Sequence, residues 1–356
     1  MPFKFLKIIK SPTKELLEIL NNNIIGTPGH GMLYQHLGVE NKINKIANPY
    51  YVNLERNNKI IGTCCFCSRI TSNRKRKISS FYIRYFSFKD LYRRKHTSEK
   101  VVSGNSVLRE EIKSILTGQD LGKDMNEIFF FYAYVDPRNL RSLLLCNEFG
   151  FETVRQYTSI IFNRINPKVN QAVQLVSPNE ENTIKELLAD FYKEYNMFSF
   201  ENLFNGRPYY TIKDESGKIV AGVQLNPDLW KIHSLHGLSG KIILNTFSHI
   251  PILDRFFNKN YRFIALEGIY YIPGYEKHLE TLFESLLAEY KVNSAIICLD
   301  ADSSLYKTIK SLKLGMVDKL NKEVKGNVIC KFVKFDEDDK KIFKSNPAYI
   351  SGIDVT

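Results

Sequence analysis

From Ile128 to Val135 every residue is aliphatic or aromatic, and a turn and a helical pattern follow at once. A strand with one wet face alternates apolar and polar residues, whereas an unbroken apolar run needs cover on both faces. Asp136-Pro137-Arg138 then turns the chain. Leu140–Phe149 reads as a helix that stops at Gly150. A strand buried on both faces and feeding straight into a helix fits the middle of a sheet with helices packed on it, an α+β architecture.

The surrounding elements agree. Phe3–Ile9 reads as a strand. Ser11 and Pro12 signal a helix start, with Leu16, Leu17 and Leu20 as its apolar stripe. Tyr50–Glu55 and Lys59–Ile70 form a hairpin about Arg56-Asn57-Asn58. A basic turn, Arg74–Lys77, leads to the strand Ile78–Phe88. Val107–Leu116 is helical, and two strands near Phe151–Tyr157 and Ser159–Arg164 close the set. The second half repeats this order: helix Ile184–Tyr195, hairpin Tyr209–Lys213 and Lys218–Leu225, strand Phe263–Ile272, a helix, strand Ser294–Leu299, helix Leu305–Leu312 and strand Asn327–Val333. Lys59-Ile60-Ile61-Gly62 is echoed at Lys218–Gly222. The expected division is 1–167, 168–335 and a solvated acidic tail, 336–356.

Charge separates the halves. Of 50 Lys and Arg and 38 Asp and Glu, Met1–Pro167 holds 26 and 14, so the whole net charge of +12 lies there and the remainder is balanced. Such asymmetry points to an anionic partner: a nucleotide cofactor, nucleic acid or an acidic surface. Surplus surface lysine is the bland alternative. Met1–Lys10 is interrupted by Lys4, Lys7 and Lys10 and does not read as a signal peptide, and no apolar run is of membrane-spanning length, so no membrane partner is expected. Six cysteines, three of them in Cys64-Cys65-Phe66-Cys67, suit buried strand thiols in a reducing cytoplasm, and no metal is expected.

One segment carries a resemblance. Asn139, Ser142, Gly150 and Phe151, after the strand Tyr132–Val135, resemble the second motif of the Gcn5-related N-acetyltransferase (GNAT) superfamily, with Cys146 where the family has tyrosine. The resemblance implies two tandem GNAT-like domains, each a mixed, mostly antiparallel twisted sheet flanked by helices. It also implies coenzyme A in a gap between the splayed strands Ile78–Phe88 and Ile128–Val135. Asn139 would face the pantetheine or adenosine side; as a residue it is equally a good helix cap. The family's phosphate loop falls on Ser103, Gly104, Asn105 and Ser106, where bare N–H groups at a helix start can receive a pyrophosphate. Lys100, Arg93 and Arg94 are placed to neutralise it. Glu110 and Glu111 in the following turn count against an anion there, and a plain capping loop is the competing reading. In the second half Ser304, Lys307 and Met316 depart from the motif, so that copy reads as structural or substrate-shaping.

The function so implied is acyl-CoA-dependent N-acyl transfer, with acetyl-CoA as donor and a small-molecule or protein amine as acceptor. Such chemistry needs positioning and proton transfer. Cys146 stands where the family's proton donor stands, although a helix cysteine facing a core also packs. His30, in a glycine-rich loop, is a candidate base. Two other readings stay open. One is an aminoacyl transferase of the peptidoglycan-bridge type using charged tRNA, with Arg74–Lys77 on RNA phosphates. The other is a binding protein that kept the fold without the chemistry. Oligomeric state leaves no trace in the sequence.

Overall fold

The computed structural model describes residues 3–29, 31–89, 106–124, 126–235, 259–315 and 324–356. In the first half these residues form strands β1 (Leu6–Ile9), β2 (Leu33–His36), β3 (Pro49–Arg56), β4 (Lys59–Ser72), β5 (Lys77–Phe88), β6 (Phe129–Val135) and β7 (Glu152–Asn163). The helices of that half are α1 (Lys14–Asn21), α2 (Val39–Ile43), α3 (Val107–Ile115) and α4 (Leu140–Glu148). The second half adds strands β8 (Val173–Leu175), β9 (Tyr209–Lys213), β10 (Ile219–Ser234), β11 (Asn260–Tyr271), β12 (Ser294–Asp300) and β13 (Val324–Val333). Its helices are α5 (Glu181–Phe191), α6 (Lys277–Glu289), α7 (Ser304–Ser311), α8 (Glu337–Ser345) and α9 (Gly352–Val355).

All the strands join one mixed sheet in the order β1-β3-β4-β5-β6-β13-β7-β12-β11-β10-β9-β8, with β2 on the free end of β10. The halves exchange their closing strands. β7 runs antiparallel to β12, β13 runs antiparallel to β6, and β7 and β13 pair with each other at the centre. This is why β7 is one strand where two were expected: its first stretch lies along β13 and its last along β12. The helix expected from Ser11 starts later, because Thr13 is the residue whose side chain accepts from the Leu16 amide.

β6 is covered on both faces, as its composition demands. Phe129 and Phe131 pack with Ile115, Leu116 and Phe151 on the α3–α4 side. Phe130 and Tyr132 point the other way, into a core shared with Trp230, Phe263 and Phe343 of the second half. The Asn57-Asn58 turn of the first hairpin has both φ values positive, 51° and 58°, the geometry that matches strand twist in a two-residue hairpin.

The tail is not a solvated end. Asp336 caps α8 by accepting from the Asp339 amide at 2.7 Å, and Asp339 pairs with Lys75 and Arg76. Beyond α8, Ala348–Gly352 is buried, and Asp354 is buried on Arg69. The acidic run meets the basic Arg74–Lys77 turn, and the apolar residues behind it fill the seam between the halves.

Candidate functional site

β5 and β6 run parallel and pair only from Ser79↔Phe129 to Tyr82↔Tyr132. Past that point β5 continues to Phe88 and β6 to Val135 with no ladder between them, so their facing edges diverge. Burial follows the same course: Phe129–Tyr132 are buried, whereas Ala133–Val135 are half-exposed. β5 also carries a bulge. Two residue steps of β4, Thr63 to Cys65, are matched by three of β5, Ser87 to Arg84, and Tyr85 there has φ 58°.

The second half repeats the device. β11 and β12 pair in parallel only from Ile264↔Ala295 to Leu266↔Ile297. β11 bulges between Glu267 and Tyr270, where Gly268 has φ 60°. Arg84 and Glu267 therefore occupy equivalent positions, each just before the positive-φ residue. Here, however, the opening is hemmed in from within: Tyr192, Tyr195, Leu305 and the Ala348–Ile350 stretch line the cavity that remains.

The two helices that pack with β6 on one face, α3 and α4, each begin with a side-chain cap. Ser106 caps α3, its hydroxyl accepting from the Arg109 amide at 3.3 Å. The two acids of this turn have partners of their own. The Glu111 carboxylate accepts from the backbone amides of Lys4, Phe5 and Leu6, anchoring the first strand, while Glu110 pairs with Lys113. Asn139 caps α4, accepting from the Ser142 amide at 3.1 Å. Gly150, φ 81°, and Phe151 close the same helix: the Phe151 amide bonds Cys146 O at 3.0 Å and the ring packs on the α3 core. Lys331 of β13 completes the cap, its ammonium on Phe149 O at 2.9 Å. Outward from α4, Leu140 and Leu144 are 68% and 71% exposed.

Cys146 lies on the inner side of α4, half-buried against the α3 core, and burial pushes its thiol up. His30, Arg93, Arg94, Lys100, Ser103, Gly104 and Asn105 lie outside the described residues. Among the described residues no group of three or more His, Cys, Asp or Glu side chains is placed to hold a metal ion.

The opposite face of the gap holds residues that the motif did not mark. Tyr82, Tyr132 and Tyr134 form an aromatic cluster, with Tyr134 5.3 Å from Tyr82 between ring centroids. Burial raises the Tyr134 hydroxyl well above its ordinary range, so it stays a neutral O–H donor. Behind the cluster Arg69 grips Asp354 with two bonds, Nη1 to Oδ2 at 2.5 Å and Nη2 to Oδ1 at 2.8 Å. Tyr82 Oη donates to Asp354 O at 2.7 Å. Burial alone would raise the Asp354 carboxyl, but Arg69 and Arg84 outweigh it and hold the group ionised below the usual range.

No protein-family model matches the sequence, and no curated protein does. Solved structures do. Saccharomyces cerevisiae N-myristoyltransferase with bound myristoyl-CoA superposes with TM-score 0.57 at 13% identity, over 94% of this chain and 84% of that one. A second structure of the same enzyme gives TM-score 0.58 at 12% identity, over 94% and 80% of the two chains. The chain thus has the GNAT fold twice in tandem, in the arrangement of N-myristoyltransferase.

Proposed function

We propose that the chain is an acyl-CoA-dependent N-acyltransferase whose donor enters between β5 and β6. The observation that carries this reading is the interrupted pairing past Tyr82 and Tyr132, which leaves two facing strand edges for an amide-bearing chain to join as an added strand. The α3 start at Ser106 offers backbone donors to the donor's phosphates. The surplus cationic charge of this half favours the same anionic ligand. The fold neighbours supply consistent company, since N-myristoyltransferase was solved with an acyl-CoA bound.

Bound acyl-CoA would supply a thioester carbonyl, and the chain's residues must place an amine against it. They must also take a proton from that amine and return one to the departing thiolate. We assign the returning proton to Tyr134, a neutral hydroxyl at the opened end of β6, in preference to the packed Cys146 thiol. The acyl group is acetyl on the sequence reading; the myristoyl-CoA bound to the fold neighbour makes a long chain the second reading. The acceptor is an amine, and the expected setting is the cytoplasm.

The test is thermal stabilisation by acetyl-CoA, octanoyl-CoA and myristoyl-CoA. A true donor at ten to a thousand times its dissociation constant should add roughly 1.5–4 kcal/mol. No shift with any of the three rejects the reading, and a shift with myristoyl-CoA alone moves the assignment to long-chain transfer. Retention of tRNA without any response to the three donors would favour the RNA-dependent reading. The turn that such a reading needs is already engaged, with Arg74 on Glu194 and Lys75 and Arg76 on Asp339.

A further inference from the structure

On the face of β5 turned away from α3 and α4, a cavity opens between the halves. Its ionisable lining is Lys42, Lys45, Arg69, Arg84, Arg207 and Glu201, five cations to one carboxylate. Two of the cations are committed: Arg69 to Asp354 and Lys42 to Asp228. Arg84 has only a long ion pair, shared on Asp354 with Arg69, and Arg207 and Lys45 form none among the described residues.

Arg84 is the informative one. Its side chain is 7% exposed and its guanidinium lies over the Tyr85 ring, 4.2 Å from the centroid, yet its polar contacts are long: Nη2 to Ile353 O at 3.4 Å and Nη1 to Asp354 at 3.6 Å, a carboxylate already gripped by Arg69. Its Nε is buried with no hydrogen-bond partner. Arg207 gives one bond, Nη1 to Asn202 O at 3.1 Å, and forms no ion pair among the described residues. Burial and the repulsion of Arg84 and Arg69 lower the Arg207 guanidinium, against the pull of Glu267 and Asp354. Lys45 is exposed at the rim and likewise forms no ion pair among the described residues. Holding the buried, under-bonded Arg84 guanidinium in the company of Arg207 is costly unless an anion completes them. The planar fork of arginine fits a carboxylate with paired bonds.

Position links this cavity to the reaction. Arg84 lies two residues past the last β5–β6 pair and just before the Tyr85 bulge, where the strands have parted. A donor in the gap would lie against α3 and α4, so the cavity borders the same opening from the acceptor's side. We propose that this cavity binds a carboxylate carried by the acceptor, which makes the acceptor an acidic amine of the amino-acid or short acidic peptide class. The proposal rests on the acyl-transfer reading for the word acceptor, but the carboxylate site stands on its own geometry.

The experiment uses the full chain and three probes at constant ionic strength: glutarate, its neutral isostere glutaramide, and inorganic phosphate. Binding is read by calorimetry on the wild type, Arg207→Gln and Lys45→Gln. Glutarate should bind and glutaramide should not, and Arg207→Gln should weaken glutarate about tenfold or more, as loss of a charge-assisted pair does. Lys45→Gln, an exposed and structurally mild change, should weaken it too and keeps the test open if Arg207→Gln folds poorly. Both variants should keep the wild-type response to acetyl-CoA. Absence of glutarate binding, equal binding of glutaramide, indifference to both substitutions, or phosphate binding where glutarate does not would each overturn the proposal. A wild type that binds glutarate but ignores every acyl-CoA would sink the donor reading alone, so the two failures are told apart.

Discussion

Arg69 on β4 and Asp354 in α9 form a two-bond ion pair across 285 residues of sequence, with the two side chains 6% and 0% exposed. The pair fixes the last helix against the opened strands of the first half. Buried pairs add little net stability, but breaking one strands a charge. Asp354→Ala should therefore cost about 3–5 kcal/mol in denaturant unfolding. The double replacement Arg69→Met with Asp354→Leu should cost less than either single change, and a double variant worse than the sum would refute this account.

Glu267, the counterpart of Arg84, is pushed up to about 7 by burial and by Asp354, with Ser351 donating against the shift. For an acid raised above its unfolded value, protonation favours the fold. The contribution is complete below the unfolded value near 4.5 and is lost as pH rises through 7. Wild-type stability should thus fall between pH 5 and 8 by about 3 kcal/mol from this group. Glu267→Gln should flatten that slope, and unfolding curves on the two proteins at both pH values decide it.

Gly150→Ala places a Cβ at φ 81°, beside the Lys331 ammonium at 3.1 Å. The lysine tip can move aside, so the strain is in the backbone and should cost about 1–2 kcal/mol. If the melting temperature is unchanged, the cap of α4 does not depend on the left-handed residue.

Tyr134→Phe removes one hydroxyl from the opened end of β6. If that hydroxyl returns the proton to the thiolate, kcat should fall by about 10²–10⁴-fold. KM for the donor should change little, and the pH profile of kcat should lose its alkaline limb. An unchanged kcat would return the role to another group, with Cys146→Ala as the paired control.

Asn139→Ala separates a cap from a ligand contact. Loss of the cap to Ser142 should lower stability by about 1 kcal/mol. Acetyl-CoA affinity measured on the folded variant should hold if capping is the whole role, and weaken if the side-chain amide also faces the donor.

The repeated order of elements could be read along the chain, because each rests on local signals: the apolar run of β6, the Asn57-Asn58 turn, and Gly150 after α4. The echo at Lys59 and Lys218 is real in three dimensions, since the matched bulges of β5 and β11 align Gly62 with Ala221. The exchange of β7 and β13 was not legible, because alternation shows which face of a strand is buried but not which sheet it joins. The tail was misjudged for a related reason. Asp339 reads as a solvent charge along the chain, and only the fold sets Lys75 and Arg76, remote in sequence, beside it. The candidate site was legible where a motif is contiguous, at Asn139 and Ser106, and hidden where it is assembled. Nothing near Arg84 or Arg207 in the sequence announces that they meet.

The exchange of β7 and β13 bears on how such a molecule is made. As the polypeptide leaves the ribosome, the inner edge of β6 stays bare until β13 emerges, and β7 waits for β12 on one edge and β13 on the other. Neither gene half, expressed by itself, encodes a finished sheet. Each would present open strand edges that invite pairing with other molecules, whereas both fragments made together would hold each other's missing piece. A premature stop codon just upstream of β13 should therefore yield aggregate rather than a shortened folded protein.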